Sequence, residues 1–341
     1  MKFNFIGTEF LRNMKSTLFF LFQVVFILTV DSQNQTPFNQ QKMMYADSTR
    51  RGKPYSKNPC VIRFGERYLM YSSVLPVRGS DAREMEVTES HDLINWKNVG
   101  YIRIEEPYEK KGISAPCALV INGKVHVFYQ TYGNGKDDAI CHAVSDDGIS
   151  IFRRNPTNPV FRPDGDWNCG RAIDAEVFLY KGRYLLYYAT RDPEFKIQLQ
   201  GVAVAPENTS FNREEWTHLS KEGPILKPEL PWEGECIEAA SIIKRNGMLY
   251  MFYAGGYNNA PQQIGVATSS DGIKWERLFT EPFLPNGEPG TWNHSESGHP
   301  AIFDNRKKTY LFFQGNNDNG TTWWISNLEV KWDKSGPYLI K

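Results

Sequence analysis

The sequence predicts an all-β fold: a five-bladed β-propeller of four-stranded antiparallel blades. Three observations predict it. A strand–turn–strand pattern recurs at intervals of about sixty residues. A polar turn ending on an aromatic follows several copies, and aromatic residues, which strands favour, make up 14% of the 341 residues.

The repeat reads "VIRFGERYLMYSS", "ALVINGKVHVFYQ", "EVFLYKGRYLLYY", "SIIKRNGMLYMFY" and "AIFDNRKKTYLFF". Its turns fall at Gly65, Gly123, Gly182, Gly247 and about Arg306, with separations of 58, 59, 65 and about 59 residues. In the fourth copy Asn246-Gly247 joins two apolar runs, the signature of a two-residue hairpin turn. The second motif appears as "SHDLINW", "SDDGISIF" and "SSDGIKW", so each unit has room for four short strands. Asp146 and Asp147 read as turn residues there. One such small sheet cannot bury both faces, and radial stacking of five solves this and protects the edges. Closure is expected near "WWISNLEVKW".

Residues 1–32 read as a signal peptide. Lys15 precedes the apolar run Ser16–Val30, which is too short to span a bilayer comfortably, and a polar exit follows. The expectation is export, to a secreted or periplasmic location, with no stable membrane insertion after cleavage. Residues 33–56 read as an irregular lead-in and 57–341 as the propeller and catalytic domain. Lys+Arg and Asp+Glu balance at 39 each, which argues against a nucleic-acid partner and favours an uncharged ligand. Cys60, Cys117, Cys141, Cys169 and Cys236 form no C-x-x-C pair, so no zinc site is expected and buried thiols are.

The first strand of each propeller blade lines the central channel. Asn58 lies 7 residues before Gly65, Ser114 and Ala115 lie 9 and 8 before Gly123, Asp174 lies 8 before Gly182, Glu238 lies 9 before Gly247, and His299 lies 7 before Arg306. With one residue of turn variation allowed, all converge at one mouth of the channel. Glu238 opens an apolar strand, where a carboxylate is costly without a task or a partner. Two carboxylates facing across a pocket are the parts that glycoside hydrolysis needs. "GDWNCGRAIDAE", "ATRDP" and "FFQGNNDNG" add Trp167, Arg171, Arg191 and Gln314 as carbohydrate-binding candidates beside Asn58 and His299. Arg171 and Arg191 also read as ion-pair partners for Asp174 and Asp192.

The stretches "KNPCVIRFGERYLMY", "AIDAEVF", "IEAASIIKRNGMLYMFY" and "SGHPAIF", in that order at blade spacing, resemble the family 43 glycoside hydrolases and their five-bladed relatives. The resemblance implies that Glu238 is the general acid and that Asp174 tunes its pKa and orients substrate. It implies that His299 is the channel histidine, near the sugar or a water-coordinated metal ion, and that no cofactor is required. Asn58 stands where the family has its catalytic-base Asp. The base must then come from elsewhere, and two candidates are Asp47 in the lead-in and Glu176, on the face of Asp174 by the period of two. Three functions stay open: a secreted glycoside hydrolase, a non-catalytic carbohydrate-binding propeller that has lost its base, and a glycoside phosphorylase relative.

Overall fold

The computed structural model describes residues 43–340, so the expected signal peptide lies outside the described residues. Blade one comprises β2 (Ser56–Phe64), β3 (Arg67–Val74), β4 (Glu84–Ser90) and β5 (Lys97–Ile102), and blade two β6 (Ile113–Ile121), β7 (Lys124–Thr131), β8 (Ile140–Ser145) and β9 (Arg153–Arg154). Blade three follows with β10 (Ile173–Tyr180), β11 (Arg183–Arg191), β12 (Gln198–Pro206) and β13 (Thr217–His218). Blade four has β14 (Ile237–Arg245), β15 (Met248–Gly255), β16 (Gln263–Ser269) and β17 (Glu276–Arg277). Every pairing within these blades is antiparallel and sequential.

Blade five closes the ring by another route. Its strands β18 (Glu296–Asp304), β19 (Thr309–Asn316) and β20 (Trp324–Asp333) are sequential, but the outer edge of β20 is shared. β1 (Met44–Tyr45) pairs with Ile325 and Ser326, and β21 (Gly336–Leu339) pairs with Val330–Asp333. Part of the lead-in is therefore a strand, and the closure joins both ends of the described chain. The Trp323 N–H donates to the Pro54 carbonyl, and the Ser56 N–H donates to the Trp323 carbonyl.

Five separate apolar clusters hold the blades, one at each junction. The alternation along each strand produces this, since one face of every blade packs against its neighbour. Across the first junction the Tyr71 hydroxyl donates to the Gly148 carbonyl at 2.7 Å. Across the third the Tyr187 hydroxyl donates to the Gly272 carbonyl at 2.9 Å. Both glycines have positive φ and end the Ser-x-Asp-Gly turns, where Asp147 and Asp271 accept backbone N–H groups. Asp147 is thus the turn residue expected. Tyr187→Phe should destabilise the protein by about 1 kcal/mol, the net worth of one buried hydrogen bond. Urea denaturation checks this, and an unchanged midpoint would remove the bond from the account of the junction.

Candidate active site

Each first strand breaks its register once, with one residue in the left-handed region. The breaks fall between Lys57 and Cys60, Ser114 and Cys117, Ile173 and Glu176, Glu238 and Ser241, and Gly298 and Ala301. The left-handed residues are Asn58 (φ 54°), Ala115 (50°), Asp174 (52°), Ala239 (52°) and His299 (44°). None is glycine, and each such residue costs roughly 1–2 kcal/mol. Bulges of this kind bend a strand and re-aim its side chains. Here they recur around one channel.

The bulges also correct the alignment of the blades. Asn58, Ala115, Asp174 and His299 are equivalent, but the fourth equivalent is Ala239. Glu238 sits one position earlier, where blade one has Lys57 and blade two Ser114. Turn chemistry accounts for the short count in blade one, and the one-residue tolerance for the place given to Glu238. Asn122-Gly123, Lys181-Gly182 and Asn246-Gly247 have positive φ at both turn residues, whereas in Gly65-Glu66 only the first does. Counted from the second turn residue, Asn58, Ala115, Asp174 and Ala239 all lie 8 positions back (66−58, 123−115, 182−174, 247−239). Lys57 is thus a channel residue that the glycine count missed.

Asp174, Glu238 and His299 meet at the mouth, with one donor or acceptor atom of each within 4.8 Å of the others. All three are buried. His299 Nε2 lies 3.0 Å from Glu238 Oε1, and Asn58 Nδ2 lies 2.8 Å from His299 Nδ1. Gln262 donates through Nε2 to Glu238 Oε1 at 2.7 Å and to the Gly256 carbonyl. Gln198 donates through Nε2 to Glu238 Oε2, while its Oε1 accepts from Arg191 and Arg171. Both glutamines are therefore oriented by a second contact and present N–H groups to Glu238.

These neighbours set the charges. Burial alone would raise Glu238, but His299, by hydrogen bond and charge, outweighs it with help from Gln262 and Lys57 and holds the carboxyl down at about 2. Burial raises Asp174 to about 6, opposed by His299 and reinforced by the charge of Glu238. Burial disfavours charge on His299, yet Asp174 and Glu238 together raise its pKa. Two carboxylates this close share a proton and do not ionise independently. Lys57 faces them with Nζ 3.9 Å over the Trp323 ring and 2.5 Å from Asn258 Oδ1, and burial lowers its pKa to about 8.

Glu176 and Glu296 are also raised by burial, each to about 7. Together with Asp174 they bind more protons folded than unfolded, so their contribution falls as pH rises from the ordinary carboxylate range through 6 to 7. Glu238 has the opposite sign, as do Glu109 and Glu233, which burial opposes but Arg154 and Arg277 hold down. Their contribution is lost as pH falls below the ordinary carboxylate range. The urea midpoint should peak near about pH 5 and fall on both sides. A curve still rising from pH 5 to pH 8 would contradict the burial of these acids.

The other sequence candidates divide. Arg191 and Arg171 reach the site through Gln198. Arg171 pairs with Asp138 at 3.5 Å, not with Asp174, and Asp192 caps its own turn by accepting from Lys196 and Ile197 rather than pairing with Arg191. Gln314 supports the ring from behind: it accepts the Asn58 N–H at 2.8 Å and donates to Glu296 at 2.7 Å. Gln130 does the same for Asp174 and Ser73 for Ala115. Trp167 does not join the cluster, because its indole N–H donates to the Ser220 carbonyl and its ring faces His218 on the outer strand.

Neither proposed base is in the ring. Asp47 accepts from Thr49 and lies 3.7 Å from Arg50, in the turn before β2. Glu176 follows the bulge, which cancels the period of two that placed it with Asp174. It lies further along the channel, bonded to the Ile242 N–H and to Cys117. There it lines a cavity of about 200 Å³ with Cys60, Ser241, Asp174 and His299. All five cysteines are free thiols, three buried and two half-buried.

The buried Asp174–Glu238–His299 group has the composition of a metal site, but the Glu238 and His299 atoms are engaged with each other and with Gln262, Gln198 and Asn58. Both Glu238 oxygens and both His299 nitrogens already have partners, so the donor set fits a proton-holding cluster and not direct ligation.

The comparisons agree with this architecture. No curated protein matches the chain. Among solved structures, a thermostable family-43 glycoside hydrolase aligns with a TM-score of 0.69 at 18% identity, over 87% of this chain and 96% of that one. An α-L-arabinofuranosidase from Lactobacillus brevis aligns at 0.63 and 15%, over 83% and 93%. An α-L-arabinanase mutant from Cellvibrio cellulosa aligns at 0.64 and 16%, over 84% and 96%. At these identities the likeness is one of fold. The family model of the glycosyl hydrolases family 43 matches residues 53–336, nearly the whole propeller, and the chain belongs to that family.

Proposed function

We propose that this glycoside hydrolase is exported and cleaves pentose-containing polysaccharides or oligosaccharides at the channel mouth. Two of the aligned structures, named as an α-L-arabinofuranosidase and an α-L-arabinanase, support the sugar class. The basic-then-apolar stretch at Lys15–Val30 supports export. In this reading Glu238 delivers the proton to the leaving oxygen, drawing on the proton shared with His299 across 3.0 Å. The charge of Asp174 raises the proton affinity of His299, and Lys57 helps to hold Glu238 ionised. Asn58 has no basicity and serves by orienting His299.

The observation that carries this reading is the close approach of Asp174 and Glu238. One oxygen of each lies within 4.8 Å of the other, close enough for the two carboxyls to couple through a shared proton. The two therefore act as one proton-holding unit on the leaving-group side. Aryl arabinofuranosides and xylosides, assayed with and without phosphate, test the function. Turnover independent of phosphate, with free sugar released, is the expected result. Sugar phosphate as product would make the protein a phosphorylase. Sugar binding with no turnover would make it a binding propeller, the reading that Asn58 at the base position favours. Mass spectrometry of the protein recovered outside the cytoplasm should show loss of about thirty N-terminal residues, within the usual length of a signal peptide. An intact cytoplasmic N-terminus would refute export.

A further inference from the structure

Arg191 and Arg171 converge on one neutral atom. Their guanidinium nitrogens lie 3.2 and 3.4 Å from Gln198 Oε1, and the other end of that amide touches Glu238. Two cations held this close repel unless an anion lies between them. The protein supplies little. Arg191 has no carboxylate partner among the described residues; it bonds only to Gln198 and to the Phe195 carbonyl. Five N–H groups less those two leave three without an acceptor among the described residues. Arg171 pairs directly, among the described residues, only with Asp138, at 3.5 Å, whose carboxyl pKa is raised by burial, and it feels the charge of Asp174 at longer range. The buried Nε of Arg171 has no partner among the described residues.

The segment beneath is built to hold these cations. Phe195 has φ 64°, a strained conformation for an aromatic residue. Its ring lies 4.5 Å from the Arg191 guanidinium and 5.7 Å from that of Arg171. Tyr257 supports Arg191 from a second side at 5.0 Å. Aromatic faces stabilise a cation without consuming its N–H edges. Those edges stay available for a planar oxyanion, which guanidinium groups bind in pairs of parallel hydrogen bonds.

We propose that Arg171 and Arg191 form an oxyanion subsite beside Glu238, filled by a carboxylate carried on the substrate or by free phosphate. The balanced overall charge, which favours an uncharged ligand, does not register this local excess. The proposal rests on the hydrolase reading for its place in the reaction, but anion binding is measurable without turnover.

Calorimetry with D-glucuronate, D-galacturonate, D-galactose and inorganic phosphate tests it, on wild type, Arg191→Gln and Arg171→Gln, each confirmed as folded by its CD spectrum. Wild type should bind at least one uronate, or phosphate, about tenfold or more tightly than galactose, the scale of one charge-assisted contact. Each Gln variant should bring that ratio close to one. Competition of phosphate with uronate, and sugar phosphate released from an aryl glycoside when phosphate is added, would assign the anion to free phosphate. Uronate binding without sugar phosphate release would assign it to the substrate. Either supports the subsite. Equal binding of uronate, phosphate and galactose to wild type, or an anion preference unchanged in both variants, would overturn it. Anion binding without turnover of any glycoside would keep the subsite and refute the hydrolytic role of this site.

Discussion

Glu238→Gln should lower kcat on glycosides with poor leaving groups by roughly 10²–10⁴-fold, the usual size of a general-acid contribution. The substitution keeps the shape and removes the carboxylate that takes the proton from His299 and passes it on, together with its charge. Gln198 and Gln262 present fixed N–H groups to both carboxyl oxygens, so one of them must face the new amide donor. That loss is offset by removal of a buried charge, and stability should change by about 1 kcal/mol. Steady-state kinetics beside a urea curve check both halves. A protein that loses activity only because it unfolds would make Glu238 a structural carboxylate.

Asn58→Asp should lower kcat by about 10–10²-fold, the size of losses from misplaced supporting groups. The amide of Asn58 contacts His299 Nδ1 at 2.8 Å. An amide serves both protonation states of the ring: its N–H donates to a neutral imidazole and, turned over, its oxygen accepts from an imidazolium. A carboxylate there accepts only. It would hold the proton on His299 and add a third anion beside Asp174 and Glu238. The His299 pKa, followed by NMR, should rise in the variant. A gain in turnover would show instead a degenerate site that lacked only its base.

The fold was legible because its signals are local and repeated. Two-residue turns, alternating strands and Ser-x-Asp-Gly turns need no tertiary information, and sixty-residue spacing stacks them. The site was legible to within one residue. Gly65 occupies the first turn position and Gly182 the second, so a count from glycine needed one residue of tolerance, and that tolerance hid Lys57 and set Glu238 level with Asp174. Glu176 was misplaced for a related reason, since a strand read by the period of two carries no sign of a bulge. Gln198 and Gln262 were invisible because each sits at or beside the start of a third blade strand, where nothing local marks a residue aimed at the channel. Trp167 shows the reverse: a tryptophan flanked by polar residues looks like a sugar platform, but here its ring faces His218 on an outer strand.

The central claim is that the Asp174–Glu238–His299 cluster supplies the proton to the leaving group. The most direct test is the dependence of kcat/KM on leaving-group pKa for aryl glycosides, in wild type and in Glu238→Gln. The expected result is a steeper dependence in the variant, with a loss of about 10²-fold or more for the poorest leaving group shrinking towards unity for the best, which needs no proton. Parallel lines, with the same loss at every leaving group, would contradict the assignment.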